Sequence, residues 1–422
     1  MQFVFDTRRG ALVLGLLALN TSVLAAESMP ERPLTLSLAS RLTLENHPDF
    51  RLWQWREKAQ QADQDIAALQ PGYQLSLQGD NLIGTGNYQG FDQAELGLSL
   101  SSVIELGGQR ERRMDAAEAA LSVARARQQI NSLDLLAQVA RTYASVLSLQ
   151  ARQRVQSQTV QLAQQVRDIV QRRVKRGASP EADALRADAN LSQSRLALSG
   201  IGSRLSAQKA QLASYWGATE SSISMLEGDL FNLPEADDFN TLYQRSLNAP
   251  ATAVFASEQR WYEAERQRVM AQSQTNLEWQ AGLTRFQSNG DVAVSAGISI
   301  PLFQFSRNQA SVQRITAEQN AALAQQESAL HALRPRLFDA WQRYSANREL
   351  ALQLTSNVIP ALEQALTQTR LAYERGRYRY SDWVAAQQEL LTARFSRIDA
   401  ATRALQAQIT IEHMTAQPLT ER

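Results

Sequence analysis

Leu96-Gly97-Leu98-Ser99-Leu100 alternates apolar with small or polar residues, and about 200 residues later Ala296-Gly297-Ile298-Ser299-Ile300 repeats the alternation. Period two with one apolar face is the pattern of a β-strand. Each stretch completes a pair. In the first, Tyr73, Leu75 and Leu77 alternate with Gln74, Ser76 and Gln78. In the second, Leu277, Trp279, Ala281 and Leu283 alternate with Glu278, Gln280, Gly282 and Thr284, and Val292, Val294, Ala296, Ile298 and Ile300 follow. The links 83–91 and 287–291 hold Gly, Asn and Asp, so each pair reads as a hairpin, over about 73–104 and about 277–302.

Working outward, the echo continues at a near-constant offset. Ala117-Glu118 answers to Ala317-Glu318, Thr142-Tyr143 to Arg343-Tyr344, and His47-Pro48 to Ala249-Pro250. Arg176-Gly177 followed by Asp183 matches Arg375-Gly376 followed by Asp382. The chain is therefore read as a structural duplication, 27–220 and 221–422. Each half begins with one helix of about 30 residues, 36–69 and about 239–273. After each hairpin comes a very long helix, about 108–176 and about 308–375; at 1.5 Å per residue the first spans roughly 100 Å. Leu133, Leu136, Ala140, Tyr143 and Leu147, then Leu162, Val166 and Ile169, step by three and four in the manner of a coiled-coil seam. Gly177 and Gly376 break these helices, Pro180 suits the first turn of the next, and final helices cover about 180–215 and about 381–416. Pro335 and Pro360 should kink or interrupt the second long helix.

Composition narrows the function. The 422 residues are 44% hydrophobic and 20% charged, with mean hydropathy −0.34, too polar for a bundle of membrane-spanning helices. Cysteine is absent, which excludes disulfides, thiolate metal sites, a Cys nucleophile and a lipid anchor on Cys. His47, His331 and His413 are widely spaced and form no HExxH, so no metal site, catalytic residue or cofactor site is assigned. His413-Met414 reads as ordinary surface. With 43 Lys plus Arg against 42 Asp plus Glu, nothing suggests nucleic acid. The arginines, interleaved with Glu, Asp and Gln, read as solvated helix faces.

The N-terminus reads as an address. Arg8 and Arg9 precede an apolar stretch from Ala11 that ends Val23-Leu24-Ala25-Ala26, the layout of a secretory signal peptide over residues 1–26; the alternative is a retained anchor. Without that segment the positive and negative charges balance.

Four strands with one apolar face leave two open edges. In a membrane only a closed barrel satisfies every backbone group, and small outer-membrane barrels start at about eight strands. Several chains must then share one barrel. Three copies give twelve strands, with Leu, Val, Ile and Trp outward to lipid and Ser, Gln, Gly and Thr inward. Trp279 belongs at the lipid face in an aromatic girdle. The alternative is a soluble protein whose two hairpins pack into a small sandwich.

The chain resembles the TolC-type outer-membrane efflux factors, most closely the heavy-metal branch typified by CzcC. The resemblance is carried by Leu34 through Ala39 with Asn46-His47-Pro48, by Val103-Ile104-Glu105-Leu106-Gly107-Gly108-Gln109-Arg110, by Gly297 through Phe303 with Arg307-Asn308-Gln309, and by Tyr373-Glu374-Arg375-Gly376 through Asp382. It implies a mainly α protein with membrane β: a homotrimer whose twelve-stranded barrel in the outer membrane continues into a periplasmic helical barrel. It further implies docking on a periplasmic adaptor and an inner-membrane RND-type pump, with no enzyme activity. Both helix-breaking glycines then fall at the periplasmic tip. Arg176, Gly177, Ala178 and Ser179 form one adaptor-contacting turn; Arg375, Gly376, Arg377 and Tyr378 form the other. Tyr373 matches a gate tyrosine, which Val174 replaces in the first half. Asp183 and Asp382 stand where the family lines its constriction, and Arg377 and Arg379 flank the place of its gate arginine, which Tyr378 occupies. A ring of carboxylates would attract cations, and Arg–Asp pairs between chains could hold the tip shut. The bland reading of both aspartates is a helix-start carboxylate favoured by the macrodipole.

The leading expectation is thus a passive export duct for heavy-metal cations. A multidrug or type I secretion duct stands as its alternative, and a non-membrane periplasmic scaffold or adaptor as a third reading.

Overall fold

The computed structural model describes residues 33–218, 223, 225–302 and 304–418; the segment read as a signal peptide lies outside the described residues. In chain order, α1 (Leu36–Asn46), α2 (Pro48–Ala67), β1 (Gln74–Asp80), β2 (Glu95–Ile104), α3 (Gln109–Lys175) and α4 (Glu181–Ser214) are followed by α5 (Phe239–Leu247), α6 (Pro250–Ala271), β3 (Leu277–Phe286), β4 (Val292–Ser299), α7 (Gln304–Gln353), a π-helical turn at Leu354–Val358, α8 (Ile359–Glu374) and α9 (Tyr380–Thr415). The order helix, helix, hairpin, long helix, helix occurs twice.

The single helices expected at 36–69 and 239–273 are each two. Proline pushes the residue before it out of the helical region and cannot donate to the preceding turn. His47 therefore adopts extended backbone and starts α2, its Nδ1 accepting from Asp49 N–H at 3.2 Å. Ala249 before Pro250 does the same for α6. The prolines of the second long helix act differently from each other. Pro335 lies inside α7 without ending it. Pro360 falls in the first turn of α8, where a missing N–H is tolerated, and the π turn directly precedes it.

The hairpins join edge to edge into one antiparallel sheet, β1-β2-β3-β4. Cross-strand register sorts the faces. Leu77, Leu98, Leu283 and Val294 form one row, and Leu75, Leu100, Ala281 and Ala296 the next. The opposite face carries Ser76, Ser99, Gly282 and Ser295 in one row and Gln78, Gly97, Thr284 and Ala293 in another. The apolar face is bare: Leu77 is 71% exposed and Val294 80%. β2 and β3 are each 10 residues long, the length of a membrane-crossing strand. The outer edges of β1 and β4 have no strand partner among the described residues. At the end of the apolar face nearest the helices, Tyr73 and Trp279 meet edge to face, ring centroids 6.3 Å apart, where an interfacial girdle belongs.

The Glu105-Leu106-Gly107-Gly108-Gln109-Arg110 run turns the chain from β2 into α3. Gly107 and Gly108 both have left-handed backbone, φ 71° and 69°, and a Cβ on Gly107 would stand 2.5 Å from Gln274 Cγ. Gln109 Nε2 donates to Asn276 Oδ1 at 2.8 Å. Asn308, at the start of the other long helix, donates to Val269 O and Ser273 Oγ at 2.6 and 2.9 Å. Arg113 grips the Glu105 carboxylate with both terminal nitrogens and reaches Leu69 O at 3.1 Å, while Arg110 Nε donates to Ala68 O at 2.6 Å. The carbonyls just past the end of α2, at Ala68 and Leu69, are satisfied in this way.

Halfway down, α3 is more than a seam. Ala137, Val139, Ala140, Tyr143, Ala144, Val146 and Leu147 are all buried, because α1, α4, α9 and the segment before α5 surround the helix. That segment is an equatorial strap. Leu34 and Leu226 bridge in parallel, with Leu34 N–H on Met225 O at 3.0 Å and Glu227 N–H on Leu34 O at 2.9 Å. The duplicated tyrosines hold it from both halves: Tyr143 Oη donates to Leu34 O at 2.8 Å and lies against Glu227 O, and Tyr344 Oη donates to Pro234 O. Burial pushes the Tyr143 phenol up, and the Glu227 carboxylate adds to this.

Two outcomes are expected in urea or thermal unfolding of the purified protein. Gly107→Ala should destabilise by about 1–2 kcal/mol or more, since an L-residue is strained there and its Cβ collides with Gln274. Tyr143→Phe should cost about 1–3 kcal/mol by leaving buried carbonyls short of a donor.

Candidate functional site

The long helices end, away from the sheet, in two turns of the same construction. In the first, Gly177 (φ 70°) donates to Val174 O at 2.8 Å and Ala178 N–H to Arg173 O at 2.9 Å. In the second, Gly376 (φ 74°) donates to Tyr373 O and Arg377 N–H to Ala372 O, both at 2.9 Å. Each is a left-handed glycine cap closing the last carbonyls of a helix, so the repeated Arg-Gly marks a repeated turn.

The turns lie against each other, and the residue that joins them is Arg173. Its Nη1 donates to Tyr373 O at 3.0 Å and Glu374 O at 2.9 Å, its Nη2 to Ala178 O at 3.2 Å, and its Nε to Ser179 Oγ at 3.3 Å. The guanidinium also sits 4.8 Å from the Tyr373 ring centroid, a cation–π placement. Tyr373 is 2% exposed, packed on Trp383 with ring centroids 5.1 Å apart, its hydroxyl 3.4 Å from Ser179 Oγ. Val166, Val170, Ala184, Ala187 and Tyr380 complete a small core that ties α3, α4, α8 and α9 together at this end. Burial pushes the Tyr380 phenol up, and the Asp183 carboxylate adds to this. The Tyr380 hydroxyl and Trp383 Nε1 are buried without hydrogen-bond partners among the described residues.

Of the residues expected at a gate, Tyr373 joins this core and Asp183 stands near enough to act on Tyr380. Asp382 takes the bland role: its Oδ2 accepts from Arg379 N–H at 2.9 Å, capping the start of α9. Arg377 and Arg379 are exposed, and neither guanidinium reaches a carboxylate within the chain among the described residues. Arg173 and Trp383 went unread. In the sequence Arg173 reads as a solvated helix-face arginine, and Ala372 stands in its place in the second half, so the repeat does not mark it. Trp383 was one scattered tryptophan among several. His413, read as ordinary surface, is a half-buried partner of Asp134 Oδ1 at 2.6 Å.

A sheet bare on one face and, among the described residues, open at both edges, carried on a long helix of about 100 Å, defines a protomer of a TolC-type channel. The comparisons with known proteins agree. The model of the outer membrane efflux protein family matches residues 39–218 and 256–417. The chain is 29% identical over 318 residues to the cobalt-zinc-cadmium resistance protein CzcC of Cupriavidus metallidurans, covering 74% of each chain. Among solved structures it superposes on the outer-membrane channel OprN with TM-score 0.75 (19% identity, 91% of this chain, 90% of that one). On CusC the TM-score is 0.76 (16% identity, 90% and 92%). The chain belongs to the outer membrane efflux protein family. Channels of this family are trimers that work with adaptor proteins and RND pumps, and the family is one of ducts rather than enzymes.

Arg173→Ala should loosen the turns while leaving the sheet and equator folded. Limited trypsin digestion should cut after Arg176 or Arg375 about tenfold faster or more, since several charge-assisted hydrogen bonds are lost. Unchanged cleavage would count against Arg173 as the tie.

Proposed function

We propose that this chain is the passive outer-membrane duct of a tripartite RND-type efflux system and that its cargo is heavy-metal cations. Three copies close a twelve-stranded barrel, the polar rows from Ser76 and Gln78 facing the lumen and the leucine rows facing lipid. The helices continue the passage through the periplasm. The observation that carries the duct is the bare apolar sheet face with two edges unpaired among the described residues, which only membrane and further strands can complete. The cargo rests on the likeness to a protein named for cobalt, zinc and cadmium resistance. Residues 1–26 act as the export signal.

The tip is the gate of this duct. Asp183, Arg377, Arg379 and Asp382 of three copies ring the narrow end, with Tyr373 packed behind them in the core of each chain's tip. Arg377 and Arg379, which meet no carboxylate among the described residues, face carboxylates of a neighbouring copy. Such exposed pairs contribute about 0–1 kcal/mol each, so the gate is held by several weak contacts in threefold repetition.

Deleting the gene should sensitise cells to one or a few of Zn, Co, Cd, Ni, Cu and Ag salts, with complementation restoring growth. Sensitivity to dyes and antibiotics with normal metal tolerance would sink the metal assignment and favour a multidrug duct. In planar bilayers, Arg377→Ala combined with Asp382→Asn, which retains a cap acceptor, should raise single-channel conductance over the parent. No rise would remove these residues from the gate.

A further inference from the structure

On the side of α9 away from the strap lies a cleft of about 630 Å³. α9 packs on both α3 and α7. Its Leu405, Gln408, Ile409 and Glu412 line a separate cavity beneath the strap, together with Tyr143 and Glu227. Arg403, Gln406, Thr410 and Met414, spaced by three and four, line the cleft on the opposite side of the helix. Four arginines converge there from three helices: Arg141 of α3, Arg336 and Arg343 of α7, and Arg403 of α9. One lining carboxylate stands against them, Asp339, and Arg343 Nε already holds it at 2.9 Å. Arg141, Arg336 and Arg403 have no carboxylate within 4.0 Å and no side-chain hydrogen bond among the described residues. Elsewhere the same helices answer an arginine with an acid on a neighbouring helix: Arg152 with Asp399, Arg127 with Glu258 at 2.8 Å, and Arg394 with Glu363 at 2.7 Å. The cleft is therefore a concentration of like charge that the chain leaves without counter-charge. Arg141 is half-buried, which makes the missing partner more costly.

We infer that this cleft is a binding site for a small organic polycarboxylate. Guanidinium forks take carboxylates in bidentate pairs, and forks set on three helices call for an anion with several carboxylates. Ala340 and Ala407, both buried, and Met414 give the cleft an apolar floor. That floor suits a carbon skeleton and offers an inorganic oxyanion nothing. Thr410 and Asn347 add neutral polar groups at the wall for a ligand hydroxyl. The volume falls in the range of small-molecule sites. Where the cleft faces rests on the duct reading. The strap and α1 add a layer to one side of the helical wall, and such a layer inside a tube would fill the passage, so the arginine side faces the lumen. A waist lined with unneutralised arginines opposes a bare divalent cation. It admits a metal carried by a polycarboxylate, whose own charge offsets the cation's.

Isothermal titration calorimetry of the full-length detergent-solubilised protein tests this, with sodium citrate, inorganic phosphate and acetate as probes in metal-free buffer. Citrate should bind about tenfold or more tighter than phosphate, and acetate should give no binding heat. The citrate Kd should rise about tenfold from about 50 to about 300 mM NaCl. Arg141→Gln with Arg403→Gln should weaken citrate binding about tenfold or more. If that pair misfolds by size-exclusion chromatography, Arg336→Gln alone, at an exposed helix position, should weaken it about threefold or more. No citrate binding by the folded parent, or unchanged affinity in a folded variant, would overturn the inference. Phosphate binding as tightly as citrate would overturn the polycarboxylate class. In planar bilayers under a KCl gradient, the Gln variant's reversal potential should move towards cation selectivity, and an unmoved potential would overturn the luminal placement. A parent that binds citrate and does not conduct would strike the duct reading and leave the site standing.

Discussion

The constraint on which the rest of this structure depends is the backbone hydrogen bond at the sheet's two outer edges. β1 and β4 each present a row of N–H and C=O groups to nothing within the chain as described. In hydrocarbon each unmet group costs several kcal/mol, so the edges and the leucine face beside them pose one problem with one solution, closure by further strands within a membrane. The helices inherit the geometry. They leave the sheet through Gly107 and Gly108 on one side and past Asn308 on the other, and must follow whatever circumference the strands adopt. A barrel of shared strands thus sets a barrel of shared helices.

The two ends are held by different chemistry. At the sheet, the junction is pinned by groups with little freedom: a glycine that tolerates no Cβ, an Arg113–Glu105 fork, and amides bonded to backbone. The equator adds paired tyrosines on a strap. At the tip the ties are fewer and more polar: a small core of two valines, two alanines, two tyrosines and one tryptophan, with the Arg173 guanidinium over Tyr373. Two buried donors there, on Tyr380 and Trp383, have no acceptor within the chain as described. Local stability follows the density of satisfied contacts, so the end proposed to move is the end least firmly tied.

Much of this was legible in the sequence because it is written in periods. Alternation located all four strands, and the three-and-four spacing with Arg-Gly stops located α3, α4 and α9 to within a residue or two. What failed was local. The duplicated His47-Pro48 and Ala249-Pro250 read as an echo of the repeat, yet proline geometry also makes each a helix break. Pro335 was expected to disturb a helix that in fact continues past it. At the tip, the repeat pointed to the glycines and aspartates because they recur. Arg173 does not recur, and its role comes from bonds to residues about two hundred positions away, a relation no local pattern records. Asp382 shows the converse: a carboxylate that the chemistry assigned to a pore also serves the backbone as a cap.

The open edges also have a genetic meaning. A barrel whose wall is divided among three identical chains has no wall at all until the third arrives, so one faulty chain spoils the work of two sound ones. With a sound and a faulty allele expressed equally and mixing freely, about one assembly in eight would contain only sound chains. Lesions in β1 or β4 that still permit association would therefore be dominant, whereas lesions that prevent export or association would be recessive. Inheritance alone would then distinguish the strands that join chains from the helices that merely lengthen them.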